Sequence, residues 1–320
     1  MRQVLVALVI AAVVTLGHSA NAQDFPKQLI KIVIPFTPGG SNDVVGRELA
    51  AGFQARWSSG AVVENRPGGG GTIAYSQVAK SPPDGYLLLI APVSFTIVPH
   101  MSRNPAFNPI TDYAPISMVA DVPFVMVVHP SVPARNLKEF VALAKEKPGQ
   151  MSYASVGVGT PQHLGGELFK LNAGVDLIHV PFRGATAVLP DLLAGRVHMF
   201  IGAINSLLPL IREGKLVALG AATVKRIPSL PDLATLAETY PGFDVGSGVG
   251  LVAPAGTPAP IVDILNRATG EIIATKGFHE RMAAIGVEVV GTTPAQHAKL
   301  IADDYAKWAR VVKDAGIKPE

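Results

Sequence analysis

The sequence predicts the α/β class, laid out as two βα domains. Strand-like and helix-like periodicities alternate along the chain, and the alternation starts twice, near residues 29 and 124. Each half contains a strand that empties through a glycine turn into an open helix N-terminus. Composition agrees: 320 residues, 48% hydrophobic and 16% charged, supply apolar material for one large or two medium domains.

The first segment reads as a secretory signal peptide, residues 1–22. Arg2 gives a positive n-region, residues 4–17 an apolar h-region, and Ala20-Asn21-Ala22 an A-x-A cleavage site. The apolar run is shorter than the ~20 residues of a membrane span, so the protein is expected to be exported and to start at Gln23 when mature. LIKIVI (29–34) then reads as a buried strand, and PFTPGGSND (35–43) as the turn from that strand into a helix. Gly39 and Gly40 allow a tight turn, and Ser41 is read as the helix N-cap. Val45, Leu49, Phe53 and Trp57 recur every four residues, which puts an apolar stripe on that helix.

Strands follow at AVVE (61–64) and YLLLI (86–90), with a helix around 74–80 between them. This alternation predicts a mostly parallel sheet. The second round opens on FVMVVHP (124–130) and a helix in which Leu137, Phe140, Val141 and Ala144 share a face. MSYAS (151–155) is the next strand and GVG (157–159) its turn; Thr160 and Pro161 fit N-cap and N1 of the following helix. The last third holds a strand at GLVAPAGTP (250–258) and a final helix carrying Ile301, Tyr305, Trp308 and Val312, with Gly316 as its C-cap.

Catalytic and metal signatures are thin. Zero cysteines exclude a disulfide framework, a lipidated cysteine anchor, a thiol nucleophile and thiolate metal sites. The string Tyr153-Ala-Ser155-Val-Gly157 lacks the first glycine of a nucleophile elbow. His279-Glu280 lacks the second histidine of a zinc motif, and residues 68–71 carry neither a phosphate-loop lysine nor a complete dinucleotide fingerprint. The expectation is no catalysis, no metal and no cofactor. A net charge of +3 is too small to argue for nucleic acid or an anionic membrane.

An anion-binding reading needs less. Each helix N-terminus carries about half a positive charge with its amides aimed outward, and two of them facing across a cleft can hold a carboxylate without arginine. Charge-assisted bonds of roughly 1.5 to 3 kcal/mol each can outweigh the cost of ordering a cleft around a ligand. The glycines of both loops are expected to matter for binding and little for folding.

The ordered set FPKQ, PFTPGGSND, VVENRPGGGG, SPPDGYLLLI, VHPSVPARNL, YASVGVGT, HVPFRG, LVAPAGTP and DAGIKPE resembles the substrate-binding receptors of tripartite tricarboxylate transporters, the TctC-like Bug family. It covers essentially the whole mature chain. The resemblance implies a two-domain periplasmic binding protein of the Venus-flytrap kind, each domain a βα sheet sandwiched by helices. It implies domain 1 at residues 23–122 with a C-terminal return over 246–320, domain 2 at 123–245, and crossings near 120–124 and 243–248.

It also implies that residues 35–43 and 155–160 clamp a carboxylate from opposite domains, partly through water. Candidate contacts in the first loop are Phe36 as a wall, Thr37, Pro38, Gly39, Gly40 and Ser41, and Asp43, which serves either the helix dipole or a ligand amine. Ser94 is a further candidate from the same domain. The second domain offers Ser155, Gly157, Gly159, Thr160, and His163 as contact or support. Phe182 and Arg183 follow, the latter at the pocket or merely on the surface, and then Gly202 and Ala203. His198 and Gly202 stand where the family often has acidic residues, which weakens recognition of an ammonium group and leaves room in the pocket. The implied function is capture of a small organic carboxylate by a monomer that hands it to membrane transporter subunits. A co-receptor for a sensor kinase and a serine hydrolase built on Ser155 are the alternatives.

Overall fold

The computed structural model describes residues 25–319. The signal-peptide reading, with its cleavage site and the start at Gln23, lies outside them.

The chain builds one continuous mixed sheet in the order β2-β1-β3-β9-β4-β7-β5-β6. In the first half, β1 (Ile30–Ile34) lies between β2 (Ala61–Asn65) and β3 (Leu87–Pro92), parallel to both. In the second, β5 (Met151–Ser155) lies parallel between β6 (Leu177–Pro181) and β7 (Met199–Ala203). Two long strands join the halves. β4 (Tyr113–Val128) and β9 (Gly246–Pro254) pair antiparallel from Tyr113 with Pro254 to Pro123 with Gly246. Beyond Pro123, β4 pairs with β7 and with β8 (Val217–Ala221). The short β10 (Glu288–Val289) also edges β4.

Helices cover both halves. The stripe predicted for α1 (Ser41–Arg56) is fully buried at Val45, Leu49 and Phe53; Trp57 sits just past its end with its ring 5.0 Å from that of Phe53. After α2 (Thr72–Ala79) and the short α3 (Ser94–Ile97), α4 (Leu137–Glu146) buries Phe140 and Ala144 as the spacing predicts. α5 (Pro161–Ala173) starts on the predicted Thr160 cap, whose hydroxyl accepts from the His163 N–H. α6 (Ala185–Leu193) and α7 (Ile204–Arg212) follow β6 and β7. α8 (Ala259–Ile273), α9 (Lys276–Ala284) and α10 (Pro294–Asp314) close the chain. Trp308 of α10 packs with Ile97 from the first half and Leu164 from the second, so the last helix braces both. Gly316, at φ +63°, ends it with a left-handed turn.

Three expectations are corrected. The sheet is parallel only within each half, because the chain leaves on β4 and returns on β9; an apolar run records burial, not direction. The segment 124–128 is the end of a strand of 16 residues, with His129 and Pro130 beyond it, and the first part of that strand is broken by two register shifts that erase its alternation. Ser41 is not the N-cap of α1. Gly40 holds that place with no side-chain cap, and the carboxylate of Asp43 accepts the Gly39 N–H instead.

Candidate functional site

Four strand-to-helix turns converge between the two halves. The turns into α1, α5, α6 and α7 contribute Gly40 to Asp43, Pro161 with Gln162, Gly184 to Thr186, and Ala203 with Asn205 and Ser206 to the wall of one cavity. Phe36, Thr37, Pro92, Ser94, Phe124, Val156 and Ser247 complete it. It offers about 60 Å³ to the centres of water molecules. At about 10–15 Å³ for one water, that holds a handful of waters or one small polar group.

The electrostatics follow from those turns. First-turn amides have no intrahelical acceptor, and each N-terminus is worth about half a positive charge, so four of them make the cavity electropositive. Among the described residues of the lining, Asp43 alone carries a formal charge. It is spoken for. Its Oδ2 accepts from the Gly39 N–H at 3.0 Å and from Arg47 Nε at 2.9 Å, and its Oδ1 accepts from Asn65 Nδ2 at 2.9 Å. Burial pushes the Asp43 carboxyl up, and the bonds from Arg47, Gly39 and Asn65 outweigh it, leaving the group below its ordinary value. Asn65 also donates to the Phe36 carbonyl, so this acid ties the whole first loop together.

Three carboxamides face the cavity with spare capacity. The buried side-chain oxygens of Asn42, Gln162 and Asn205 have no partner among the described residues. A half-turn of each amide presents its NH2 group instead, which suits a bound anion.

The second predicted loop is built differently. Gly157 and Gly159 take φ of +135° and +76°, which a side chain resists, and Thr160 Oγ1 donates to the Gly157 carbonyl at 2.6 Å. Ser155 is fully buried, its hydroxyl 2.7 Å from His179 Nε2 and within 3.2 Å of the Gly157 N–H. His179 stacks on His163 at 4.3 Å and on Tyr153 at 4.9 Å, and His163 Nδ1 accepts the Gly159 N–H at 3.3 Å. Burial, reinforced by His163, pushes His179 down to about 4, and burial lowers His163 as well. These neutral rings are pegs that hold the loop from behind. The Ser155–His179 pair has no access to the cavity, which removes the basis of the serine-hydrolase alternative.

The candidates therefore separate. Phe36, Thr37, Gly40, Ser41, Asp43, Ser94 and Ala203 line the cavity, although the Ser94 hydroxyl is already 2.6 Å from that of Tyr75. Gly157, Phe182 and Arg183 line a wider groove beside it. Pro38 and Gly39 shape the first loop from outside; Ser155, Gly159, Thr160 and His163 support the second. Gly202 does not face the cavity: a Cβ there meets the Phe200 ring, so its small size makes no room for ligand. His198 is likewise turned away, its Nδ1 accepting the Ser152 N–H.

Sequence reasoning passed over Asn42, Gln162, Thr186, Asn205, Ser206 and Ser247. The first two adjoin predicted turns and were legible as first-turn polar residues. The others belong to elements whose convergence is long-range.

Comparisons with known proteins identify the family of the chain and the fold of its relatives. The family described as "Tripartite tricarboxylate transporter family receptor" matches residues 45–317. Protein BugT of Bordetella pertussis is 36% identical over 319 residues, 98% of each chain. Among solved structures, Rpa4515 of R. palustris with adipate superposes at a TM-score of 0.88 with 33% identity, over 93% of this chain and all of that one. The periplasmic binding protein BugD gives 0.87 and 34%, over 92% and 100%. MatC from Rhodopseudomonas palustris with bound malate gives 0.84 and 30%, over 90% and 100%.

Proposed function

The chain belongs to the tripartite tricarboxylate transporter family of receptors, which are substrate-binding proteins and not enzymes, and on that premise we propose that it captures a small organic carboxylate in the periplasm for a transporter of that type. The observation that carries the proposal is the cavity itself: four helix N-termini and three unpaired carboxamides surround it, with no cationic side chain among the described residues of its lining. Such a site rewards a compact anion and penalises a neutral isostere.

The domains that close on the ligand are residues 23–122 with 246–320, and residues 123–245. The pairing supports these limits, since β4 leaves β9 after Pro123 and meets β7 from Phe124 onward. The first loop and α1 belong to one domain and the turns into α5, α6 and α7 to the other, so a ligand held by all four favours the closed arrangement. The receptor works as a monomer and delivers its ligand to membrane transporter subunits.

A thermal-shift screen across mono-, di- and tricarboxylates and aromatic acids tests the reading. At about 100 times its dissociation constant the right acid adds about 2.7 kcal/mol of apparent stability. Calorimetric titration of the best binder against its amide and against the amino acid of the same skeleton follows. Amidation is expected to cost at least about 1.5 kcal/mol, because a donor then faces donors. The amino acid gains little, since Asp43 already accepts from three donors of its own, Gly39, Arg47 and Asn65. Equal binding of acid and amide, or clear preference for the amino acid, sinks the proposal.

A further inference from the structure

At the cavity wall, one buried pair of hydroxyls has more protons than acceptors. Ser94 opens α3 in the lining of the cavity, Tyr75 stands on α2 behind it, and both are closed off from bulk solvent. Their hydroxyl oxygens are 2.6 Å apart. Apolar groups enclose the rest of the phenol: Phe95 and Phe107 flank its ring at 5.5 and 5.1 Å, and a Cβ on Gly71 would collide with it. The nearby Tyr113 hydroxyl donates to the Tyr75 carbonyl and takes no part in the pair. Burial pushes the Tyr75 phenol up, and the bond with Ser94 offsets this only in part, so the group keeps its proton. A buried O–H without an acceptor forfeits its hydration for nothing, so Tyr75 donates and the Ser94 oxygen accepts. The Ser94 proton is then left with no acceptor among the described residues, and it is free for a ligand in the cavity.

Resting on the carboxylate-binding reading, we propose that Ser94 gives this proton to the bound carboxylate and that Tyr75 is its positioning residue: the phenol occupies the serine oxygen from behind and turns the serine hydroxyl toward the cavity. A phenol donating into the serine oxygen also polarises it, which makes Ser94 a stronger donor to an anion. The opposite polarity, with Ser94 donating to Tyr75, strands the phenol proton among the aromatic rings and presents lone pairs to a ligand that is itself an acceptor.

The test titrates acetate, succinate, adipate, malate and benzoate into the wild type by calorimetry and carries the tightest of them through Ser94→Ala, Tyr75→Phe and the double variant. Ser94→Ala is expected to weaken that acid by about tenfold to a hundredfold, the worth of one hydrogen bond to a charged group. Tyr75→Phe is expected to weaken it by about threefold when Ser94 is present and not at all when Ser94 is already alanine; a residue that merely packs costs the same in both backgrounds. The ring of Tyr75→Phe still fills its place between Phe95 and Phe107, and the double variant removes both hydroxyls together, so neither leaves an unpaired phenol buried; melts without ligand check the fold of each. Three results overturn the proposal: binding by Ser94→Ala within about twofold of the wild type, tighter binding by that variant, or an equal effect of Tyr75→Phe in both backgrounds. In each of them, acid binding by the wild type leaves the receptor reading standing. If none of the acids binds the wild type, the carboxylate reading fails and takes the proposal with it.

Discussion

Gly40 and Gly159 belong to turns beside the same cavity, yet their backbones set opposite tolerances. Gly40 has φ −81° and open space for at least 4 Å around the place a Cβ would take, whereas Gly159 has φ +76° and such a carbon would lie 3.3 Å from Met101. Gly40→Val is therefore expected to weaken ligand binding by about tenfold or more while costing about 1 kcal/mol of stability, that of a poor N-cap. Gly159→Val is expected to lose about 2–3 kcal/mol by itself, from the strained dihedral and the displaced Met101. Thermal melts with and without ligand separate the two, and normal binding by Gly40→Val removes the first loop from the site. This revises the expectation that both glycines are dispensable for folding. His297 gives a pH prediction. It is 1% exposed, and burial holds it down to about 4. Between pH 6.5 and 4 the unfolded chain takes up a proton that the folded chain refuses, so stability falls as pH drops through that window. From pH 7 to pH 5 the loss is expected to reach about 2 kcal/mol from this residue, measured by denaturant titration. A melting temperature unchanged over that range argues against the buried neutral ring.

At the scale of elements, the two predicted helix starts are held by different chemistry. Thr160 caps α5 with its hydroxyl and also fixes the Gly157 carbonyl, while α1 starts on a bare Gly40 and relies on Asp43 three residues on. Thr160→Ala is expected to cost about 1 kcal/mol and to loosen the second loop, seen as faster amide exchange at Gly157 and Gly159. Ser41→Ala is expected to change stability by less than about 0.5 kcal/mol, because its hydroxyl caps nothing. A large loss in Ser41→Ala, or none in Thr160→Ala, reverses this assignment. Both helices were legible along the chain because glycine followed by Ser or Thr is a start signal in either case. The first cap was misplaced because Gly40, one residue earlier, holds the extended N-cap backbone, and the bonds of Asp43 to Gly39, Arg47 and Asn65 that fix this turn leave no mark in the local sequence.

For the whole molecule, the two halves approach one another closely at glycines. A Cβ on Gly184 would lie 2.8 Å from Thr37 Oγ1 and one on Gly70 3.1 Å from the Val158 carbonyl oxygen, each joining residues far apart in sequence. Gly184→Ala is expected to act as a wedge: small-angle scattering should show less compaction on adding ligand, with affinity reduced about tenfold or more. Unchanged compaction and affinity would show that this contact does not limit closure. The α/β class, the apolar stripes of α1 and α10, both glycine turns and the family were determined by the sequence alone, because periodicity, turn residues and ordered motifs are properties of neighbouring positions. Only the tertiary structure decided that β4 and β9 cross between the halves, that the turns into α6 and α7 join the first two around one cavity, and that Gly202 and His198 stay outside it. Those outcomes rest on strand pairing and helix convergence over many tens of residues, and a local pattern records which face of an element is buried without recording what it is buried against.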